Sequence, residues 1–289
     1  MQSRDEQQML DLILDTARED PNIRTVVLEG SRANPSAIKD PLQDYDIIYG
    51  VTTLKPYSQN VEWIKRFGEL MILQMPDGMG NSPILDYKFT YLMQFLDGNR
   101  IDLNLYNVEH LKHHHFSSQS VVLLDKDNSL KLPPPSSSDY FPRQPTPKQF
   151  HDCCNEFWWV TPYVAKGLWR DDFPYARHML DSTVRCQALK MMDWYFGIKT
   201  GFQESPGKYG KHFRKHLEHS LCDLLAASYI TSDIESTWRA LDALCRLFAD
   251  VGVTVGAHYG YPYPAEATRK VTSYVQHLQR LPRGSEQIY

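Results

Sequence analysis

A run of prolines most constrains what this chain can fold into. Leu132-Pro133-Pro134-Pro135-Ser136-Ser137-Ser138, continued by Pro142, Pro145 and Pro147, can extend neither a helix nor a central strand. It reads as a connector between domains. The halves on either side follow different hydrophobic periods. Before the run, short apolar stretches are punctuated by turn residues. After it, apolar residues recur at helical spacing around residues 150–168, 175–196, 211–227, 234–251 and 264–280. The expectation is a strand-bearing domain over 1–145 and a helical bundle over 146–289.

Within the first half, Met9, Leu10, Ile13, Leu14 and Ala17 sit at helical spacing behind a potential cap, Asp5. The β-branched run Thr25-Val26-Val27-Leu28 predicts a buried strand that ends in a turn at Glu29-Gly30-Ser31. A second strand is expected from Tyr45 to Val51, a helix over Glu62 to Phe67, and a strand over Leu70 to Met75. Arg100 to Tyr106 alternates apolar and polar residues, the pattern of a half-buried strand.

Bulk composition excludes several classes. The 289 residues are 42% hydrophobic and 23% charged, as in soluble globular proteins. A net charge of -4 argues against a nucleic-acid partner, which calls for a basic face. The N-terminus is charged and amphipathic, and nowhere do about 18 apolar residues run together, so no membrane segment is expected. The five cysteines are odd in number and lack a C-x-x-C pair, which fits reduced, mostly buried thiols and the cytoplasm. A monomer is the expected state.

The residues that carry chemistry come in three pieces. Gly30-Ser31 follows a strand, Asp44-Tyr45-Asp46 heads the next, and Asp102 lies within a third. Residues two apart in a strand share a face, so Asp44 and Asp46 converge while Tyr45 and Ile47 point away. Asp102 joins them if its strand pairs alongside. Two such charges ~4 Å apart repel by about 4 kcal/mol at an effective dielectric of 20. A divalent ion relieves that repulsion, and oxygen-only ligands suit Mg2+, with substrate phosphates completing its shell. Gly30 lets backbone approach a triphosphate, and Ser31 offers a hydroxyl and an N–H. Taken singly, each piece is common in solvated turns; their order along the chain is what makes a catalytic centre.

Glu29-Gly30-Ser31-Arg32-Ala33-Asn34, Asp44-Tyr45-Asp46-Ile47 and Asp97-Gly98-Asn99-Arg100-Ile101-Asp102-Leu103 resemble the aminoglycoside 6-adenylyltransferases, of the polymerase-β-like nucleotidyltransferase superfamily. The likeness continues through Tyr163-Val164-Ala165-Lys166, Trp194-Tyr195-Phe196-Gly197, Gly207-Lys208 and Gly260-Tyr261-Pro262-Tyr263-Pro264. It implies an α+β fold, with a mixed-sheet nucleotidyltransferase domain followed by a helical domain that completes the ATP and acceptor cleft. It also implies transfer of AMP from Mg-ATP to the 6-hydroxyl of streptomycin, with release of pyrophosphate and antibiotic resistance as the outcome. By this resemblance Asp44 and Asp46 are metal ligands, and Asp102 is either a third ligand or the base on the acceptor hydroxyl. Another small molecule or a protein as acceptor, or a silent nucleotide-binding protein, are the alternatives.

Secondary candidates each have a plainer reading. Arg32 could neutralise phosphate or form an ion pair. Lys208 and Lys211 precede a helix expected near His212, where cations are unfavourable unless an anion binds; solvated loop charge is the alternative. Lys166 could join them at the triphosphate or snorkel. A polycationic acceptor calls for carboxylates and aromatic faces, and Glu156, Trp159, Asp171 and Asp172 are available. Asp171 and Asp172 equally suit capping of the helix near Pro174. Trp159 and Trp169 equally suit a core. The cluster His110, His113, His114 and His115 points in too many directions to share one ion.

Overall fold

The computed structural model describes residues 3–35, 37–80 and 86–289, in two compact units, Met1–Asp139 and Tyr140–Tyr289.

In the first unit, helix α1 (Glu6–Glu19) begins where expected, because Asp5 closes a capping box. Its carboxylate accepts from the Gln8 N–H at 2.9 Å, and the Gln8 side chain accepts from the Asp5 N–H at 2.9 Å. Met9, Ile13 and Ala17 face inward. Strand β1 (Ile23–Glu29) leads into a single helical turn, α2 (Gly30–Ala33), in place of the expected plain turn. Strand β2 (Tyr45–Val51) has the expected bounds. After another helical turn, α3 (Lys55–Ser58), the helix expected over Glu62–Phe67 is wound tightly as a 3-10 segment, Val61–Phe67. Strand β3 (Leu70–Gln74) follows. The hairpin β4 (Lys88–Phe95) and β5 (Arg100–Asn107) turns through Gly98, whose φ of +90° suits glycine. Helical turn α4 (Val108–Leu111) and strand β6 (Ser120–Asp125) complete the unit. Strands β4 and β6 were not anticipated.

The sheet runs β3-β4-β5-β2-β1-β6 and is mixed: β2 and β5 are parallel, and the other neighbours antiparallel. One face carries Val26, Leu28, Tyr45, Ile47, Tyr49, Ile101, Leu103 and Leu105 against Met9 and Ile13 of α1. Each such aliphatic side chain contributes about 2 kcal/mol when fully buried. The buried Tyr49 hydroxyl donates to the Ile13 carbonyl at 2.6 Å, so its polar end is satisfied. The opposite face has only a small cluster, Val27, Ile48 and Leu111, and beyond it the strands present polar residues.

The second unit is helical, comprising α5 (Pro147–Trp169), α6 (Phe173–Met179), α7 (Arg185–Thr200), α8 (Phe213–His216), α9 (His219–Ala227), α10 (Ile234–Tyr259) and α11 (Ala265–Arg280). The helix expected over 175–196 is α6 and α7 joined by a π turn, Leu180–Val184. That expected over 211–227 breaks at Leu217, which is extended, into α8 and α9. Helix α10 runs eight residues past its expected end. Val251-Gly252-Val253-Thr254-Val255-Gly256 is poor in helix formers, but its glycines are set by packing. A Cβ at Gly252 would stand 2.6 Å from the Tyr263 ring, and one at Gly256 2.7 Å from the Tyr261 carbonyl. Close approach, not propensity, selects them. Cys153, Cys154, Cys222 and Cys245 are buried free thiols, and Cys186 is exposed.

Candidate active site

Register builds the site. Parallel pairing places Asp46 of β2 opposite Asp102 of β5, and antiparallel pairing places Glu29 of β1 opposite Asp46. Asp102, Asp46 and Glu29 therefore form a row across three strands, on the face that the main core does not use. Ser120 of β6 continues the row and donates its hydroxyl to Glu29 Oε1 at 2.6 Å. Tyr45 and Ile47 point into the core, as the alternation requires. Asp44 stands just ahead of β2 with its side chain 40% exposed.

Gly30 makes the close approach that its position suggested. Its φ is +70°, and a Cβ there would lie 2.3 Å from Asp46 Oδ2. Any side chain would therefore collide with the carboxylate as well as strain the backbone. Its N–H donates to the Gln119 carbonyl at 3.0 Å. Ser31 follows, exposed, in the first turn of α2.

Two arginines frame the acids differently. The Arg32 guanidinium is turned to the protein: Nη2 donates to the Gln43 carbonyl at 2.8 Å, and Nε reaches the Gln43 and Asp44 carbonyls at 3.2 Å. It lies 3.8 Å from the Tyr45 ring centroid and 3.5 Å from Glu6 Oε1. Arg32 thus fixes the backbone that carries Asp44. Arg100, two residues before Asp102 on the same strand, forms a fork with it: Nε to Oδ1 at 2.7 Å and Nη2 to Oδ2 at 2.8 Å. Its Nε is also 3.6 Å from Asp44 Oδ2. The hairpin that presents Arg100 is tied down by Asp97, which accepts from Arg4 and from the Asn99 backbone and side chain. Those bonds, Arg4 foremost, hold the Asp97 carboxyl well below the usual carboxylate range.

Burial pushes the Asp46 carboxyl up to about 6, and the charges of Asp102, Asp44 and Glu29 add to the shift. Burial also raises Asp44, with Arg100 pulling it back. The Arg100 guanidinium is held more firmly protonated by its bond to Asp102. Among the described residues, no three His, Cys, Asp or Glu side chains already stand together as a metal cage. The donor set nevertheless fits a hard divalent ion. The side-chain donors are carboxylate oxygens, Asp46 is crowded by like charges, and the side-chain-free backbone of Gly30 lies over it.

The helical unit holds the other candidates. Lys166 lies 4.6 Å from the Tyr163 ring, and Trp159, 63% exposed, donates its indole N–H to the Tyr163 hydroxyl at 3.0 Å. Trp159 also lines a cavity of about 360 Å³ with Trp158, Asn155, His151 and Pro264. Glu156 is exposed one turn earlier on α5. Asp172 caps α6, accepting from the Tyr175 N–H at 3.4 Å. Asp171 has a φ of +65° and pairs with Arg283 at 3.1 Å. Trp169 donates to the Leu281 carbonyl. Lys208 opens a short 3-10 turn, Lys208–Gly210, and Lys211 follows it, ahead of the four-residue α8. Lys208 lies 5.6 Å from the exposed Tyr209 ring, and the Lys211 stem covers Gly207. Two of the clustered histidines pack as aromatic rings: His110 on Tyr87, and His114 between Tyr106 and Phe116.

Sequence reading missed Glu29 and Arg100 as members of the site. Arg100 had a signal, its i, i+2 spacing from Asp102 on a predicted strand. Glu29 gave one only once its partner strand was known.

The streptomycin adenylyltransferase family matches residues 3–278. An aminoglycoside 6-adenylyltransferase of Campylobacter jejuni is 38% identical over 94% of this chain and 95% of its own length. Those of Staphylococcus aureus and Bacillus subtilis are each 35% identical, covering 90% and 94% of this chain and 94% and 97% of their own lengths. With the carboxylate row on its sheet and a match that spans both units, the chain belongs to the streptomycin adenylyltransferase family.

Proposed function

We propose that this protein transfers AMP from Mg-ATP to a hydroxyl of an aminoglycoside, with the 6-hydroxyl of streptomycin as acceptor, and so confers resistance. The observation that carries this reading is the in-register pair Asp46 and Asp102, with Asp44 beside them and Gly30 over Asp46. The names of the relatives support the acceptor class.

In this reading Asp44 and Asp46 hold Mg2+, and Asp102 is the third ligand or the base. The ion would supply positive charge to the triphosphate and to the attacking oxygen. The acceptor oxygen bonds to the α-phosphorus, the bond to the β-phosphate bridging oxygen breaks, and pyrophosphate leaves. The acceptor proton passes to a carboxylate of the row or to water. Gly30 admits the triphosphate close to backbone, and Ser31 donates its hydroxyl and N–H to phosphate oxygens. Arg32 keeps Asp44 in place through the carbonyls it holds. Lys166, Lys208 and Lys211 meet phosphate charge, while Glu156, Trp159, Asp171 and Asp172 offer carboxylates and an aromatic face to a polycation. The protein acts as a cytoplasmic monomer, with neither nucleic acid nor membrane as partner. Among the described residues no helix is long and apolar enough to cross a membrane.

Mass spectrometry of an aminoglycoside panel after incubation with Mg-ATP tests the proposal. Streptomycin should gain one AMP as pyrophosphate appears. Unmodified streptomycin beside another adenylylated drug would overturn the acceptor, and an unmodified panel the activity.

A further inference from the structure

Asp102 is the one acid of the row whose two oxygens are both engaged by a cation. The Arg100 fork takes Oδ1 and Oδ2 at 2.7 and 2.8 Å, and its Nε also stands 3.6 Å from Asp44 Oδ2. One guanidinium thus leans on two of the three carboxylates assigned to the ion. The pair forms within a single strand, between residues on the same face, so it needs no partner from elsewhere to assemble.

The contrast with Arg32 is informative. Arg32 is 7% exposed, gives its donors to the Gln43 and Asp44 carbonyls and stands 3.5 Å from Glu6 Oε1, which makes it a fixture. Arg100 is 39% exposed, and among the described residues its Nη1 makes no hydrogen bond. An arginine with spare donors, open to solvent at the mouth of an acidic row, is free to change partners. A guanidinium and a divalent ion repel each other, so the two do not share Asp102 comfortably.

We propose that Arg100 is a built-in counter-cation: it holds Asp102 in place in the resting protein, yields it to the metal–nucleotide, and then turns its freed donors to phosphate oxygens. Planar, five-donor geometry suits both partners, carboxylate before and phosphate after. Arg100 is a positioning residue in the first state and a nucleotide ligand in the second. This inference rests on the Mg-dependent reading above.

Mn2+ titration of the full chain without nucleotide, followed by electron paramagnetic resonance, tests the exchange. Arg100→Met removes the competitor and should tighten Mn2+ binding about fivefold, whereas a merely structural arginine would loosen it on removal. The same variant should raise KM for ATP about tenfold with a smaller change in kcat. Arg100→Lys keeps the charge but loses the fork, and should tighten Mn2+ binding about twofold; it carries the test should Arg100→Met fail to fold. Mn2+ binding that is unchanged or weaker in a folded variant overturns the exchange, and an unchanged KM overturns the phosphate role. If Asp46→Asn abolishes Mn2+ binding while the Arg100 variants leave it unaltered, the metal reading stands and the exchange alone falls. Wild-type protein that binds no Mn2+, with or without ATP, removes both.

Discussion

The sheet unit and the helical unit each hold one aspartate whose carboxyl is pushed up to about 6, and they reach it by different routes. Asp46 is raised by burial together with the charges of Asp102, Asp44 and Glu29. Asp193, on α7, is raised by burial alone and makes no hydrogen bond or ion pair among the described residues. The same displacement therefore means different things. Around Asp46 the surplus negative charge belongs to a set that a cation can satisfy; for Asp193 burial is the sole cause, with no neighbouring charge adding to it. A shifted carboxyl identifies a functional centre through its neighbours, not through its size.

Four substitutions separate the two units. Asp46→Asn should lower AMP transfer on the order of 10³-fold without lowering the thermal melt, because it removes charge where the ion would be held. Retained turnover in that variant would place the metal elsewhere. Gly30→Ala should lower turnover about a hundredfold and the stability by about 1–2 kcal/mol, because the new Cβ strains the backbone and displaces Asp46. Calorimetry and initial rates read both effects, and a fully active variant would show that Asp46 can move without cost. Lys208→Ala should raise KM for ATP about tenfold and leave the aminoglycoside dependence alone. An unchanged ATP dependence takes Lys208 out of the nucleotide's reach.

The smallest effect concerns Asp193. Folding favours its protonated form, so the unfolded chain binds fewer protons between about pH 4 and pH 6, and stability falls as pH rises through that window. Asp193→Asn should therefore stabilise the protein at pH 8 by about 1–2 kcal/mol, allowing for partial exposure, and change little at pH 4. Denaturation at both pH values reads this difference. Equal effects at the two would mean that Asp193 is as well solvated as a surface aspartate. A large loss of AMP transfer would move it from the packing into the chemistry.

Much of this was legible before the fold was known, for physical reasons that can be named. Strand alternation alone put Asp44 and Asp46 on one face and Tyr45 and Ile47 on the other. The capping residue Asp5 announced α1, and the proline run parted the strand-rich half from the helical one. Two classes of feature stayed hidden. One is packing that overrides propensity: the valine- and glycine-rich end of α10 looks unlike a helix until Tyr263 and Phe150 are seen against Gly252 and Gly256. The other is adjacency between strands. Glu29 is an unremarkable strand-end acid until register sets it beside Asp46, and the carbonyls that Arg32 holds are not visible in its position after Ser31. The alternating Phe89, Tyr91, Met93 and Phe95 of β4 carry the period-two signal of a strand.

The parallel pairing of β2 with β5 has a consequence in time. Asp46 and Asp102 lie far apart along the chain, with two further strands, β3 and β4, between theirs, so they meet only after a large loop has closed. Non-local pairing of this kind is slow to form. The acids are thus spared one another's repulsion through the early stages of folding. A cation that recognises the finished row can lengthen the life of the native protein by slowing its unfolding, but it has nothing to grip while the protein is being made.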